Sequence, residues 1–196
     1  MRDNDYLGSL SEPLKTFVFV AKGIIPKQLC QHVIQKEKNV DNSWSKHQWS
    51  GYEDKKLKSS VSEKDEDGFI VKNFLNVDLD NCIKKSVELY TQVYQVPGMA
   101  RFFSDTRINR YLSGTEMKSH YDHIFSIFDG EKKGIPILSI VGLLNNDFDG
   151  GEFHFYDSVV PLEAGDILVF PSCFLYPHGV KRVTKGERWS FVSWAH

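Results

Sequence analysis

A chain of 196 residues is long enough for one domain with a sizeable core, and 41% hydrophobic with 13% aromatic residues is the balance of a globular fold. A formal net charge of -2 excludes a general electrostatic pull toward nucleic acid or an anionic membrane. No apolar run approaches the roughly 20 residues of a membrane span, and the polar start Met-Arg-Asp-Asn-Asp is unlike a signal peptide. Cys30, Cys82 and Cys173 are odd in number and form no Cys-x-x-Cys unit, so they read as reduced thiols. The expectation is one cytoplasmic domain over residues 1–196.

In chain order, Thr16-Phe-Val-Phe-Val-Ala21 is a β-rich run. Pro26 then suits the start of a helix through about Lys38, with Leu29, Val33 and Ile34 on one face. Asp41–Asp67 is polar, with Trp44, Trp49 and Tyr52 among charges. It reads as a long loop or irregular insert, either a lid over a site or a solvated segment. Asp78–Tyr94 spaces Leu79, Ile83, Val87, Tyr90 and Tyr94 as one apolar stripe and predicts a second helix.

From Arg107 the character changes. Short β-type runs alternate with Gly, Asn, Asp and Pro: Arg107–Leu112, Ile124–Phe128, Ile137–Leu144, Glu152–Tyr156, Ile167–Phe170, Val180–Val183 and Trp189–Trp194. Asn145–Gly151 reads as a turn. Many short strands behind two helices predict a mainly β, α+β domain: a two-sheet jelly roll, or double-stranded β-helix, with supporting N-terminal helices.

The chemistry concentrates in His120-x-Asp122, His178 and Arg188. Alone, His-x-Asp is weak, because 7 His and 26 acidic residues in 196 give about one such pair by chance. On a strand, however, residues i and i+2 share a face, so both side chains converge without a special turn. Two imidazoles and one carboxylate on a β scaffold make one face of an octahedron, the set that suits non-haem Fe(II) and leaves positions open. His123 points away from Asp122, His154 sits between Phe153 and Phe155, and His32, His47 and His196 lie outside the cluster. No Cys/His cluster suggests structural zinc.

The wider order of motifs is specific. Arg107-Ile-Asn-Arg-Tyr111-Leu-Ser-Gly114 leads to His120-Tyr-Asp122; Leu138-Ser-Ile-Val-Gly-Leu-Leu-Asn145 precedes Phe148-Asp-Gly150-Gly151-Glu152-Phe153. Gly165-Asp-Ile-Leu-Val-Phe170-Pro171 then precedes Pro177-His178-Gly-Val180 and Arg188-Trp-Ser190-Phe-Val-Ser-Trp194. Over residues 107–194 this succession resembles the catalytic domain of prolyl 4-hydroxylases, within the Fe(II)/2-oxoglutarate dioxygenase superfamily.

The resemblance implies His120, Asp122 and His178 as iron ligands and Arg188 as the cation on the distal carboxylate of 2-oxoglutarate. A guanidinium is always charged and meets a carboxylate with two parallel hydrogen bonds. Ser190, two residues on, faces the same way and either adds a hydrogen bond or is a plain strand serine. Tyr111 either lines the cosubstrate pocket or is a buried structural tyrosine, and Val180 fits either the pocket or the core. Gly150 and Gly151 serve a tight turn.

Implied cofactors are Fe(II), 2-oxoglutarate and O2, with ascorbate as an accessory. The implied reaction converts 2-oxoglutarate to succinate and CO2 while hydroxylating a substrate C–H bond. The expected substrate is a peptidyl proline, with Trp44, Trp49 and Tyr52 as a candidate apolar wall. The alternatives are the same chemistry on a free amino acid, small metabolite or nucleobase, and a non-catalytic jelly-roll sensing module. No nucleic-acid or membrane partner is expected. Two departures stand out: Leu143 occupies a position where some relatives place a tyrosine on the distal carboxylate, and no arginine precedes Leu138, where some peptidyl hydroxylases use one against the substrate.

Overall fold

The computed structural model describes residues 12–38, 44–53, 56–61, 69–122 and 135–196. A short helix α1 (Glu12–Lys15) and strand β1 (Phe19–Ala21) precede α2 (Lys27–Lys38). Strands β2 (Ser45–Lys46), β3 (Gln48–Glu53), β4 (Lys56–Val61) and β5 (Phe69–Phe74) follow, then α3 (Val77–Val93). Next come β6 (Thr106–Tyr111), β7 (Met117–His120), β8 (Leu138–Leu143), β9 (Phe148–Gly150) and β10 (Phe153–Phe155). The chain closes with β11 (Ser158–Val160), β12 (Ile167–Pro171), β13 (His178–Val180), β14 (Val183–Gly186) and β15 (Arg188–Ala195).

Two antiparallel sheets face each other. Among the described residues the larger has seven strands in the order β1-β12-β8-β15-β6-β5-β2, and the smaller runs β11-β10-β13-β7. One face of the large sheet carries the helices. Ile167 and Val169, Leu138 and Ile140, and Trp189 and Phe191 pack there with Val33, Leu79, Ile83 and Val87. The opposite face holds Leu168 and Phe170, Val141 and Tyr111 against Phe153, Phe155 and Val180 of the small sheet. A sheet covered on both sides explains why β8 and most of β12 are continuously buried rather than alternating, with Ser139 the polar residue of β8. The jelly roll with supporting helices is therefore the observed architecture.

The helices form for the expected reasons. The Asn76 side chain accepts from the Leu79 backbone N–H at 2.9 Å, capping α3. Leu79, Ile83, Val87 and Tyr90 are its buried stripe.

Several expectations need correction. Where a long loop or irregular insert was expected at 41–67, the described residues form strands: β2 pairs with β5 at the sheet edge, and β3 pairs with β4. Strands β5, β7, β9 and β11 add to the predicted set, with β9 inside the expected turn. The run Val180–Val183 divides between β13 and β14. The strand expected at Ile124–Phe128, the residue His123 and the side chains of Trp49 and Tyr52 lie outside the described residues. Trp44 packs edge-on against Trp189 at 5.6 Å, on the helix-covered face. It is no part of a substrate wall.

Candidate active site

The site lies between the sheets. Residues alternate along β15, so Trp189, Phe191 and Ala195 enter the helix-side core while Arg188, Ser190, Val192 and Trp194 line the intersheet cleft. The register sets Tyr111 opposite Arg188, Asn109 opposite Ser190 and Arg107 opposite Val192. The small sheet supplies the other wall: β13 pairs with β7 so that His178 lies directly across from His120. Asp122 falls in a bend just past the end of β7, so its convergence with His120 is completed by that bend.

Candidate ligand atoms of His120, Asp122 and His178 all lie within 4.8 Å of one another. His120 Nε2 is 3.6 Å from Asp122 Oδ1 and His178 Nε2 is 3.7 Å from Oδ2. Those separations exceed a hydrogen bond and leave room for an ion between the groups. Each Nδ1 faces a carbonyl of its own strand, Lys118 O at 2.9 Å and Tyr176 O at 3.0 Å. A carbonyl only accepts, so Nδ1 carries the proton and the Nε2 lone pair is presented to the cluster. His178 is packed among Phe153, Phe155 and Phe170. Burial pushes its pKa down to about 4, which keeps the imidazole neutral.

Asp122 is held as a carboxylate. Burial raises its pKa, but the neighbouring His178 and His120 and hydrogen bonds from Ser139 and Trp194 outweigh this and leave it below the usual range. Ser139 Oγ donates to Oδ2 at 2.6 Å and Trp194 Nε1 donates to the same oxygen at 2.9 Å. Two donors on Oδ2 leave Oδ1 as the less occupied oxygen. The donor set fits a ferrous ion: two neutral imidazoles and an anchored carboxylate.

Arg188 is 1% exposed. Its Nη1 donates to Ser190 Oγ at 2.7 Å, and its guanidinium lies 5.2 Å from the centroid of the Tyr111 ring. Nε is buried without a partner, and no carboxylate of the described residues pairs with this cation. Burial lowers its pKa, with only Tyr111 opposing. A buried guanidinium of this kind fits a carboxylate ligand. Gly151 makes the packing possible, since a Cβ there would stand 3.0 Å from Arg188 Cδ. Leu143 is the strand neighbour of Ser190.

His120, Asp122, His178, Arg188 and Ser190 thus meet in one cleft, with Tyr111 and Val180 buried on its lining, while Trp44 stands outside it. Ser139, Trp194, Asn109 and Arg107 were missed as site residues. Trp194 shares the parity of Arg188 and Ser190, a signal that was available. His47, set aside in the sequence, is 4% exposed, and its pKa is pushed down to about 3 by burial and by Arg107 and His120.

Residues 106–196 match the family model described as the 2OG-Fe(II) oxygenase superfamily. A PKHD-type hydroxylase of Gluconobacter oxydans is 34% identical over 94 residues, covering 44% of this chain and 40% of that protein. Human prolyl 3-hydroxylase 1 is 38% identical over 63 residues, covering 29% of this chain and 9% of that protein. The chain thus matches well under half the length of these curated relatives. Among solved structures, a viral collagen prolyl hydroxylase from Paramecium Bursaria Chlorella virus-1 superposes with a TM-score of 0.62 at 15% identity, covering 91% of this chain and 94% of that one. A Trichoplax adhaerens prolyl hydroxylase in complex with a hypoxia inducible factor peptide fragment gives 0.66 at 16% identity, covering 91% and 83%. The family model lies over the strands that carry His120, His178 and Arg188 and the bend that carries Asp122, and through this region the chain resembles the 2OG-Fe(II) oxygenases and, among them, the prolyl hydroxylases.

Proposed function

We propose that residues 1–196 form one Fe(II)- and 2-oxoglutarate-dependent dioxygenase domain that hydroxylates a proline in a peptide. The observation that carries this reading is the pairing of the His120–Asp122–His178 cluster with a buried guanidinium, Arg188, that has an unpartnered Nε in the same cleft. His120, Asp122 and His178 would hold the iron through Nε2, a carboxylate oxygen and Nε2. Bound iron supplies O2 activation coupled to decarboxylation of 2-oxoglutarate, so that 2-oxoglutarate, O2 and R–H become succinate, CO2 and R–OH.

The chain's own residues bind and orient. Arg188 grips the distal carboxylate; Ser190 accepts from Arg188 and keeps its hydroxyl proton to donate to the same group. Tyr111 closes the pocket beside them. Phe153, Phe155 and Phe170 exclude water from the His178 side. Free Cys30, Cys82 and Cys173 suit a reducing, cytosol-like compartment, and reductant such as ascorbate suits a ferrous site.

Similarity to peptide-acting hydroxylases supports a peptide substrate. Proline lacks an N–H and favours an extended backbone that an open intersheet mouth admits. The test is succinate formation with Fe(II), 2-oxoglutarate and proline-rich peptides, beside free amino acids and single-stranded oligonucleotides. Stimulation by peptides with one added oxygen on proline is the expected result; stimulation by oligonucleotides alone would overturn the substrate class.

A further inference from the structure

The intersheet cleft holds a second guanidinium to which the proposed chemistry gives no task. Arg107 lines the cleft from β6 on the same face as Asn109 and Tyr111. Its guanidinium lies 5.5 Å from the centroid of the Trp194 ring. Its Nε is buried without a hydrogen bond, and among the described residues it has no ion-pair partner within contact distance. Burial lowers its pKa, opposed by Tyr111 and by the nearby Asp122 carboxylate, the group a divalent ion would occupy. Asn109, next along the same face, also has a buried Oδ1 without a partner. Unsatisfied buried polar groups on a cleft wall are costly unless a ligand satisfies them.

Position separates the two cations. Arg188 pairs with Tyr111 and Val192 pairs with Arg107. The two arginines are therefore four residues apart along the sheet, about 13 Å at the usual strand rise. Trp194, which carries Arg107, also donates to Asp122, so Arg107 belongs to the metal end of the cleft and Arg188 to the far end. The charges show the same division. Arg188 neutralises one carboxylate of 2-oxoglutarate, while a divalent ion on Asp122 neutralises the other. Arg107 then remains the uncompensated positive charge.

We infer that Arg107 binds a carboxylate of the primary substrate and holds the oxidised carbon beside the metal. This rests on the dioxygenase reading, not on its peptide substrate, and specifies the charge the substrate carries. The substrate bears a carboxylate near the reacting C–H, either the α-carboxylate of an amino acid or chain end, or an acidic side chain beside the target residue. Trp194 supplies the apolar surface under the guanidinium, a geometry suited to holding Arg107 extended.

The experiment is calorimetric titration of protein loaded with Co(II) and 2-oxoglutarate. The probes are L-proline against L-prolinamide, and acetylated, amidated Ala-Pro-Asp against Ala-Pro-Asn. At least one carboxylate probe is expected to bind about 30-fold or more tightly than its amide partner; which pair discriminates identifies the source. Arg107→Gln is expected to erase that preference and Arg107→Lys to keep part of it, with 2-oxoglutarate affinity unchanged in both. Equal binding of carboxylate and amide probes, binding of neither carboxylate probe, or a preference that survives Arg107→Gln overturns the inference. Loss of 2-oxoglutarate affinity in Arg107→Gln, to the extent expected for Arg188→Ala, overturns it by placing Arg107 on the cosubstrate. Failure of the wild type to bind 2-oxoglutarate overturns the dioxygenase reading, and this inference with it.

Discussion

At the scale of single residues, the site is set by what surrounds Asp122 as much as by the carboxylate itself. Ser139 and Trp194 both donate to Oδ2 and fix the orientation of the group. Removing such a supporting donor typically lowers metal affinity by about 10–100-fold. Ser139→Ala and Trp194→Phe are each expected to do so in a Co(II) titration, with far-UV circular dichroism unchanged; wild-type affinity in both would remove their positioning role. His120→Ala, Asp122→Ala and His178→Ala are each expected to abolish metal-dependent turnover. The histidines also predict a pH response. Burial holds His178 neutral to about pH 4 and His47 to about pH 3, against an ordinary value of 6.5. The unfolded chain therefore takes up protons that the folded protein refuses, and metal-free stability falls as pH drops from about 6.5 toward 4. Asp122, held below 3.8, adds loss only in more acid solution. Thermal melts between pH 7.5 and 4.5 check this, and a flat melting temperature across that window would contradict it. His-x-Asp, His178 and Arg188 were legible from motif order, and strand parity placed Ser190 beside Arg188, whereas Asp122 reaches the cluster from a bend past β7 rather than by the strand parity expected. Ser139 lies 17 residues from Asp122 and Trp194 lies 72 away, so their donation exists only after the sheet has formed.

At the scale of elements, β15 joins the core to the chemistry. One parity, Trp189 and Phe191, faces the helices, and the other, Arg188 and Ser190, faces the cleft. Gly142 on β8 is the register partner of Phe191, and a Cβ at 142 would run into that fully buried ring. Gly142→Ala is expected to cost about 1–3 kcal/mol by overpacking, read as a lower urea midpoint with Co(II) affinity kept, because the clash is on the helix side. An unchanged midpoint would show that the helix-side core yields more easily than its burial implies. The longer helices and apolar strands were legible, since their periodicity or unbroken burial dominates the local pattern. The β3–β4 pair was not: its strands mix charges, serines and single aromatics. The three-residue strands β9 and β11 are too short to carry a period of two.

At the scale of the whole molecule, two facing sheets bring residues from β6, β7, β8, β13 and β15 into one cleft, and ligands that bind there stabilise the fold by mass action. Co(II) with 2-oxoglutarate at about 100 times the dissociation constant is expected to add about 2.7 kcal/mol. For a chain of this size that raises the melting temperature by about 5–10 °C, and no shift would argue against binding to the folded state. Among the described residues no helix is long and apolar enough to cross a membrane. The joint metal and cosubstrate site is tested most directly by equilibrium binding of 2-oxoglutarate to Fe(II)-loaded protein without oxygen, in wild type and Arg188→Ala. Truncating one partner of a buried, hydrogen-bonded charge pair costs about 2–5 kcal/mol, so the variant is expected to bind about 30-fold or more weakly, and metal-free wild type is expected to be weakened as well. Equal affinity in wild type and Arg188→Ala, or binding that is indifferent to the metal, would contradict a shared site built from His120, Asp122, His178 and Arg188.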